Sequence, residues 1–564
     1  MLNTQNVIQR HFPAVAQNKL LMRPTNLVLK KLLCEEEINA FEREYPHLTG
    51  FDFVEQVLDY FSCSYTVSDN HRERIPATGK LVIIANHPIG SIDGLALIKL
   101  IREIRHDIKV VANSMLMAID ALHDILLPVD NMSGKTKKQE LQNISKHLQQ
   151  EGVVIIFPAG EVSRLRPQGV RDTKWQSGFL KIAKTNQCPI LPVFIDAKNS
   201  ALFYGVSMLF KPAATALLVK QMWHQKEKSI PMKIGEVIPF EGYASLTLPK
   251  KELVNLFKKH IYRIAKNKKP VLPTQSAIAL PEDRRVLFHA LKAEAEVIGK
   301  TTDSKTIYLY KPTKSSVILR EIGRLREITF RAVGEGTNKR RDIDKFDLHY
   351  FHLILWDEKD LEIAGAYRFG SVDNLAQIDH LYSSTLFDYQ APMDEIVAQG
   401  LELGRSFVQP KYWGNRSLDY LWQGIGAFLV KHPEYRYLFG PVTISARYPA
   451  QAMSLLIAFY SHYFPDDRKV AKAKLPYNNS LTNGQFEGKE YSESLELLKV
   501  QLNEMGVSIP TLYKQYADVC EPGGVSFSAF NVDPEFEYCV DAFLLVDTHL
   551  LKAKKRQRYF KSQQ

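Results

Sequence analysis

Two domains of unlike architecture are predicted for this 564-residue chain: an α/β layer in the first half and an α+β domain with a largely antiparallel sheet in the second. Three observations carry that expectation. Strand-like and helix-like runs alternate over the first half, the pattern of a layered α/β sheet. A long helix-like run opens the second half, and strand-like runs follow it. Between them, residues 267–285 (NKKPVLPTQSAIALPEDRR) carry three prolines and no regular period, which is linker composition. The expected division is 1–266, a linker at 267–285, and 286–564.

In chain order the first half runs KLVIIA (80–85), GLALIKLIREI (94–104), IKVVA (108–112), KKQELQNISKHLQQ (137–150), GVVIIFP (152–158), GFLKIAKTN (178–186) and PILPVFI (189–195). The short runs are almost unbroken Val, Ile and Leu, as in strands buried on both faces. The longer ones have helical length and spacing. Residues 200–219 (SALFYGVSMLFKPAATALLV) come nearest to a membrane span, but Lys211 and Pro212 lie at their centre, where a charge is costly and a proline breaks the hydrogen-bond ladder. That segment is a helix pair or a membrane-dipping re-entrant stretch, or else a core helix followed by a loop. The second half opens on SSVILREIGRLREITFRAVG (315–334) and continues through FHLILWD (351–357) and EIAGAYRFG (362–370). No short repeat is present, which excludes a solenoid.

Composition narrows the function classes. With 45 % hydrophobic and 24 % charged residues, the chain can bury ordinary globular cores. Five scattered cysteines without a CxxC pair make neither a disulfide framework nor a zinc site and suit a reducing compartment; no metal is expected. The N-terminal stretch has no compact apolar core with a small-residue cleavage site, so no secretory signal is expected. A net charge of +11 favours anionic partners, either anionic lipid or an acidic protein. The sequence lacks RNA-recognition, zinc-finger and helix-turn-helix patterns, and nucleic acid is not an expected partner. The basic residues are spread out except in the tail LKAKKRQRYFKSQQ (551–564).

The first chemical signal is ANHPIGSIDG (85–94), where Asn86-His87-Pro88 follows an apolar strand and five residues separate His87 from Asp93. Ligand sites of α/β sheets lie at such strand ends. A histidine there can act as a general base, and an aspartate can hold its other ring nitrogen and stabilise the imidazolium. No GxSxG elbow supplies a nucleophile, so the substrate's own hydroxyl has to serve. On its own, a His/Asp pair at a strand end is more often a structural hydrogen bond than a catalytic one. The second segment, VVIIFPAGEVSR (153–164), shifts that balance: a buried strand leads into a loop whose backbone N–H groups, Ser163 and Arg164 suit an anion.

These segments, with KWQSGFLKIA (174–183) and PILPVFI (189–195) after them, resemble the glycerolipid acyltransferases of lysophosphatidate acyltransferase type over about residues 70–240. The resemblance implies that His87 is the general base, that Asp93 orients it, and that Asn86, Gly160, Glu161, Ser163 and Arg164 line the acceptor. Two departures stand out. The family carries four residues between His and Asp where this chain has five, and its carboxylate precedes the glycine that Glu161 follows here. Both variants are similar to a hemolysin-like, ornithine-lipid subgroup, which implies an acceptor head that is not a phosphate.

The second half carries weaker signals in a suggestive order. Arg326 and Phe330 are spaced i, i+4; Asp344 and Asp347 precede a strand; Arg368 lies on GAYRFG (365–370); Glu402 and Arg405 lie on LELGRSFVQPKYW (401–413). LDYLWQGIGAFL (418–429) holds Gly424 and Gly426, small residues that let backbone N–H groups approach a donor phosphate. Taken singly, these are ordinary ion pairs and a weak glycine signal. Together they resemble the GNAT-like acyl-homoserine-lactone synthases and, more closely, the ornithine N-acyltransferases, over about residues 300–550. That resemblance implies a substrate cleft of Arg326, Phe330, Asp344, Asp347, Arg368 and Arg405, with Glu402 catalytic and Gly424 and Gly426 in the acyl-donor loop. Ile328 stands where the more typical ornithine enzymes have a second arginine.

Joined, the halves resemble bifunctional ornithine lipid synthases. The expectation is that the second domain N-acylates an amino acid, ornithine first, with a 3-hydroxyacyl chain from acyl carrier protein. The first domain then esterifies the 3-hydroxyl. No cofactor beyond the acyl donor is implied. Partners are acyl carrier protein, membrane lipid and the amino acid, and the chain sits peripherally on the cytoplasmic face of the inner membrane. The rivals are a phospholipid acyltransferase with a regulatory second domain and a non-enzymatic lipid-binding protein.

Overall fold

The apolar runs of the first half become strands because both of their faces are covered. Every residue of Leu81–Ala85 and of Val153–Ile156 is buried. Successive side chains point to opposite faces of a strand. Leu81, Ile83, Ala85, Val153 and Ile155 therefore enter one core cluster, and Val82, Ile84, Val154 and Ile156 the other. Each such side chain contributes about 1.5–3 kcal/mol when fully buried. The computed structural model describes residues 4–5, 8, 17, 19–32, 34–113, 116–117, 119–129, 138–209, 211–372, 381–479 and 485–560. Two compact units meet in sequence at Ala277 and Ile278.

The strands of the first unit are β1 (Ser64–Thr66), β2 (Leu81–Ala85), β3 (Ile108–Asn113), β4 (Leu126–Val129), β5 (Val153–Ile156), the ribbon β6 (Arg164–Arg166) and β7 (Gly169–Arg171), β8 (Ile190–Ile195) and β9 (Ser229–Ile234). Seven of them form one sheet in the order β1-β9-β8-β2-β5-β3-β4. β2 lies between β8 and β5 and is parallel to both. The loops after β2, β5 and β8 therefore emerge side by side at one edge. Helix α1 (Ile92–Arg102) covers one face, while α2 (Lys138–Gln149) and α3 (Gly178–Thr185) cover the other. The segment around 200–219 is a helix pair, α4 (Ala201–Leu209) and α5 (Lys211–His224). Among the described residues no helix is long and apolar enough to cross a membrane. Helix α6 (Lys250–Ile264) packs Leu253, Val254, Phe257 and Ile261 into the same core as α2 and α3.

The second unit begins on a helix at Arg284–Glu294, followed by β10 (Ala295–Lys300), β11 (Lys305–Tyr310) and then the long helix α7 (Val317–Val333). Ser316 caps α7 by accepting from the Leu319 N–H at 3.2 Å, and Gly334 ends it in the left-handed region at φ 79°. Ile318, Ile322 and Leu325 share a core with Tyr308, Ile354 and Trp356 of the sheet. The remaining strands are β12 (Phe351–Asp357), β13 (Glu362–Gly370), the short β14 (Phe387–Tyr389), β15 (Gly400–Val408), β16 (Tyr437–Ile444), the short β17 (Ala471–Ala473), β18 (Val525–Asp533) and β19 (Cys539–Asp547). The main sheet has eight strands in the order β10-β11-β12-β13-β15-β16-β19-β18, antiparallel except between β15 and β16. Helices α8 (Ser417–Lys431), α9 (Ala450–Tyr463) and α10 (Thr511–Ala517) join its second core. The basic tail is ordered as helix α11 (Ala553–Tyr559), whose Arg558 and Tyr559 bond Asp419 of α8; Lys561 lies outside the described residues.

Candidate active sites

At the end of β2 the chain turns through His87-Pro88-Ile89-Gly90-Ser91 into α1, and Asp93 falls in the first turn of that helix. The Asp93 carboxylate is fully buried. One oxygen accepts the N–H groups of Gly90, Ser91 and Gly94 at 3.1, 3.0 and 3.0 Å. The other accepts that of Ile89 at 3.0 Å and lies 3.1 Å from His87 Nδ1. Burial opposes ionisation, but these donors and the facing imidazole outweigh it and hold Asp93 below the usual carboxylate range. Burial likewise pushes His87 down, and the Asp93 and Asp172 carboxylates outweigh that, so its pKa rises above the ordinary value. The Phe157 ring stacks on the imidazole at 4.2 Å. Among the described residues Nε2 has no protein partner. An imidazole held by a carboxylate at Nδ1, with Nε2 free at a sheet edge, can take a proton from a hydroxyl.

The other residues expected here divide. Gly160 adopts φ 64° with open space where a Cβ would stand, so the loop after β5 leaves room beside the site. Arg164 is 8 % exposed, bonds Ser207, lies 5.5 Å from the Phe203 ring and leaves its Nε without a partner. Glu161 stands 3.7 Å from Arg164 and accepts from Thr173. Two residues expected to touch substrate do not present themselves. Both amide atoms of Asn86 bond the Ile195 backbone, at 2.7 and 2.9 Å, which locks the end of β2 to β8. Ser163 is buried and donates to Asp172 at 2.5 Å, while its N–H donates to the His87 carbonyl at 2.8 Å. Asp172 itself went unforeseen. It also accepts from Trp175 Nε1 at 2.8 Å and from the His87 N–H at 3.3 Å, so it ties the loops after β2 and β5 together. The RDTKW stretch (171–175) carries no period or motif that would have marked it.

In the second unit the structure gathers six of the expected residues. Asp347 accepts from Arg326 at 2.7 Å and from Arg368 at 3.0 Å; Arg368 also donates to Asp344 at 2.6 Å. Arg405 lies 3.2 Å from Asp342 and 3.6 Å from Asp344. Arg326 and Arg368 are 0 % and 1 % exposed, so their charges need these carboxylates. Burial opposes ionisation of Asp347, yet the two guanidiniums hold it far below the carboxylate range. Phe330 packs edge-on against Phe536 at 5.5 Å, and Arg405 lies 4.7 Å from that same ring. Asp342 was missed, although RDIDKFD (341–347) places it two residues before Asp344. The network leaves Arg326 Nε and Arg368 Nη2 without hydrogen bonds, two donors available to a polar ligand, while the unbonded oxygens of Asp342 and Asp344 face Arg405.

Three of the predicted residues sit differently from the rest. Glu402 is held by protein groups: it is 1 % exposed and accepts from the Tyr350 hydroxyl and from the backbone N–H groups of Tyr382 and Ser383. It pins the 382–383 turn, and the Tyr382 ring lies 4.9 Å from Arg405 and 5.2 Å from Arg368. Gly424 and Gly426 are not in a donor loop. They lie inside α8, where a Cβ on Gly424 would stand 2.8 Å from Leu353 and one on Gly426 2.0 Å from the Tyr559 carbonyl. Their smallness lets α8 press on the sheet and α11 cross it. The helix N-terminus that can meet a phosphate is at Ser417, after Gly414 at φ 77°, and the buried Ser417 hydroxyl has no hydrogen-bond partner.

A wedge opens beside this network. β15 and β16 pair only from Gly400 to Glu402 against Tyr437 to Phe439, although both strands run on to Val408 and Ile444. Arg405 takes φ 50°, and Arg405 and Ser406 together oppose the single residue Tyr367 of β13, a bulge that removes them from the ladder. A splayed parallel pair with a bulge on one wall can admit an extended chain and offer it backbone donors.

Known proteins match the two halves of the chain separately. A family model described as acyltransferase matches residues 6–267, and one described as acetyltransferase (GNAT) domain matches residues 325–423. The chain is 28 % identical over 304 residues to a glycine N(alpha)-acyltransferase of Phocaeicola vulgatus, covering 50 % of this chain and 93 % of the relative. It is 27 % identical over 228 residues to a lyso-glycine lipid O-acyltransferase of Bacteroides thetaiotaomicron, covering 39 % and 83 %. It is 29 % identical over 227 residues to an L-ornithine N(alpha)-acyltransferase of Rhodobacter capsulatus, covering 39 % and 80 %. The chain is an acyltransferase that joins an acyltransferase domain to a GNAT domain.

Proposed function

We propose that this chain builds a phosphorus-free aminolipid by two acyl transfers. The GNAT unit N-acylates an amino acid with a 3-hydroxyacyl chain from acyl carrier protein, and the first unit then O-acylates the new 3-hydroxyl. The observation that carries the reading is the presence in one chain of two candidate sites of different chemistry. One is a free imidazole Nε2 suited to a hydroxyl; the other is a buried network of arginines and aspartates suited to a charged amino acid. The relatives support the same division of labour, since one is named for N-acyl transfer and another for O-acyl transfer to a lyso-aminolipid.

In the first unit His87 takes the hydroxyl proton while Asp93 holds the imidazolium. Arg164, with its Nε free, suits the head-group carboxylate of the lyso-lipid. In the second unit the wedge between β15 and β16 takes the donor arm, and the N-terminus of α8 its phosphate. Ornithine is the proposed amino acid. Glycine is the second reading, favoured by the relative matched over 304 residues. The chain works peripherally at the cytoplasmic face of the inner membrane, where its product belongs. Expression in a host without aminolipids, followed by mass spectrometry of the lipids, tests the scheme. A diacylated ornithine or glycine lipid is expected; new acylated glycerol phosphates and no aminolipid would overturn it.

A further inference from the structure

Across the wedge from Arg405 stands a second group of carboxylates. Asp541 lies on β19 directly opposite Thr443 of β16, and the Thr443 hydroxyl donates to it at 2.6 Å. That pair sits where β16 has already parted from β15. Asp533 ends β18 and accepts the Glu535 N–H at 2.9 Å, and Glu335 follows the Gly334 cap of α7. Among the described residues none of the three forms an ion pair within 4.0 Å, unlike the aspartates around Arg326 and Arg368. Asp541 is 3 % exposed and Asp533 5 %, whereas Glu335 is partly exposed.

We infer that Asp541 is the proton acceptor for the incoming amine, with Glu335 as its outlet to solvent. This rests on the N-acyl transfer proposed above. The geometry supplies both ends of the path: a buried carboxylate on β19, one strand behind the wedge and anchored at one oxygen only, and a second, more exposed one next to that strand, since the Gly334 carbonyl just before Glu335 accepts from the Cys539 thiol at 3.6 Å. The substrate's ammonium passes one proton to Asp541 and becomes a free amine. Its nitrogen attacks the thioester carbonyl, and a C–N bond forms. The second N–H proton goes to the departing sulfur as the C–S bond breaks, giving amide and thiol. Asp541 then hands its proton to Glu335 and on to water. Asp533 and Arg405 are the charges that act on Asp541, and its own charge is felt by Glu335, Cys539 and the phenols of Tyr382 and Tyr513. Burial, and after it Asp533, pushes Asp541 up to about 7; burial and Asp541 push Glu335 up to about 8. Both values suit a base working near neutrality.

Full-length protein, the 3-hydroxyacyl thioester of acyl carrier protein, and ornithine or glycine as acceptor make the test. Asp541→Asn lowers kcat for N-acylation about 10²–10⁴-fold. Two milder variants shift the acid limb of the kcat/KM profile in opposite directions. Asp533→Asn removes the negative neighbour that raises Asp541 and moves the limb to lower pH. Thr443→Val removes the donor to Asp541 and moves it to higher pH. Asp541→Asn with kcat within a few-fold of wild type, or both milder variants leaving the limb in place, overturns the inference while the proposed function stands. Wild-type protein that acylates neither amino acid overturns the reading beneath it, and the inference with it.

Discussion

Replacing Asp93 by Asn interrogates the first site through a single proton. Asn keeps an acceptor where one oxygen now receives the N–H groups of Gly90, Ser91 and Gly94. Its NH2 then stands against the Ile89 N–H, which loses its acceptor, and against His87 Nδ1. An amide N–H there makes Nδ1 accept, so the neutral ring must carry its proton on Nε2 and can no longer take one from a hydroxyl. Such a wrong-tautomer exchange lowers kcat by about 10⁴ in a serine protease triad, and a fall of that order is expected here. The unpaired Ile89 N–H destabilises the first unit by about 1–3 kcal/mol. The assay follows O-acylation of a synthetic N-(3-hydroxyacyl) amino acid across the neutral pH range, with N-acylation by the same preparation as the folding control. In wild type the reaction needs neutral His87, so its rate drops as pH falls through the raised pKa. In Asp93→Asn the carboxylate that raised it is gone and burial dominates, so the residual activity persists to lower pH. Activity within about tenfold of wild type, with the acid limb unmoved, would refute the assignment of His87 as base.

Asp172→Ala leaves three buried donors, from Ser163, Trp175 and the His87 backbone, without an acceptor; at about 1–3 kcal/mol each, urea unfolding followed by tryptophan fluorescence should shift to clearly lower denaturant. Asp347→Ala strips two buried guanidiniums of their shared partner and destabilises the second unit by about 3–5 kcal/mol; cells expressing it should make neither lipid, yet form the diacyl product when fed synthetic lyso-lipid. Glu402→Gln, in contrast, should lower the melting temperature while N-acylation stays within about tenfold, because its partners are protein groups; a loss matching Asp541→Asn would restore a catalytic role to Glu402. Flotation with anionic vesicles should retain the chain at low salt and release it at high salt if exposed cations such as Lys554 and Arg556 carry the contact, at about 1 kcal/mol each; binding that resists salt would point to α4 and α5 instead.

The first site was largely legible in the sequence because its parts are local. A buried run names its own strand, and His87 and Asp93 lie within one turn of its end. Asp172 is 85 positions from the loop it braces, and no local pattern announces it. In the second unit the arginines and aspartates were legible as a set, but their partners were not. The three donors to Glu402 come from 19, 20 and 52 residues away, a distance at which a carboxylate's task cannot be read. Gly424 and Gly426 misled because glycines that admit a phosphate and glycines that admit a neighbouring backbone look alike until the helix start is known. Asp541 was hidden in CVDAFLLVD (539–547), which reads as a buried strand and is one. Only its register against Thr443 sets the acid beside the part of β16 that has left β15.

The place of β19 has a consequence for the order of events during synthesis. This late strand is paired on both edges, with β16 and β18, so the part of the sheet bearing Asp541 cannot assemble until residues beyond 540 have emerged. The first unit closes its sheet some three hundred residues earlier, at β9, and N-terminal domains fold first as a chain is made. On the proposed scheme the unit that finishes the lipid is therefore complete before the unit that begins it. A half-made chain holds a site with nothing to acylate, and no lyso-lipid, a detergent-like product, is released before the partner that consumes it is already attached.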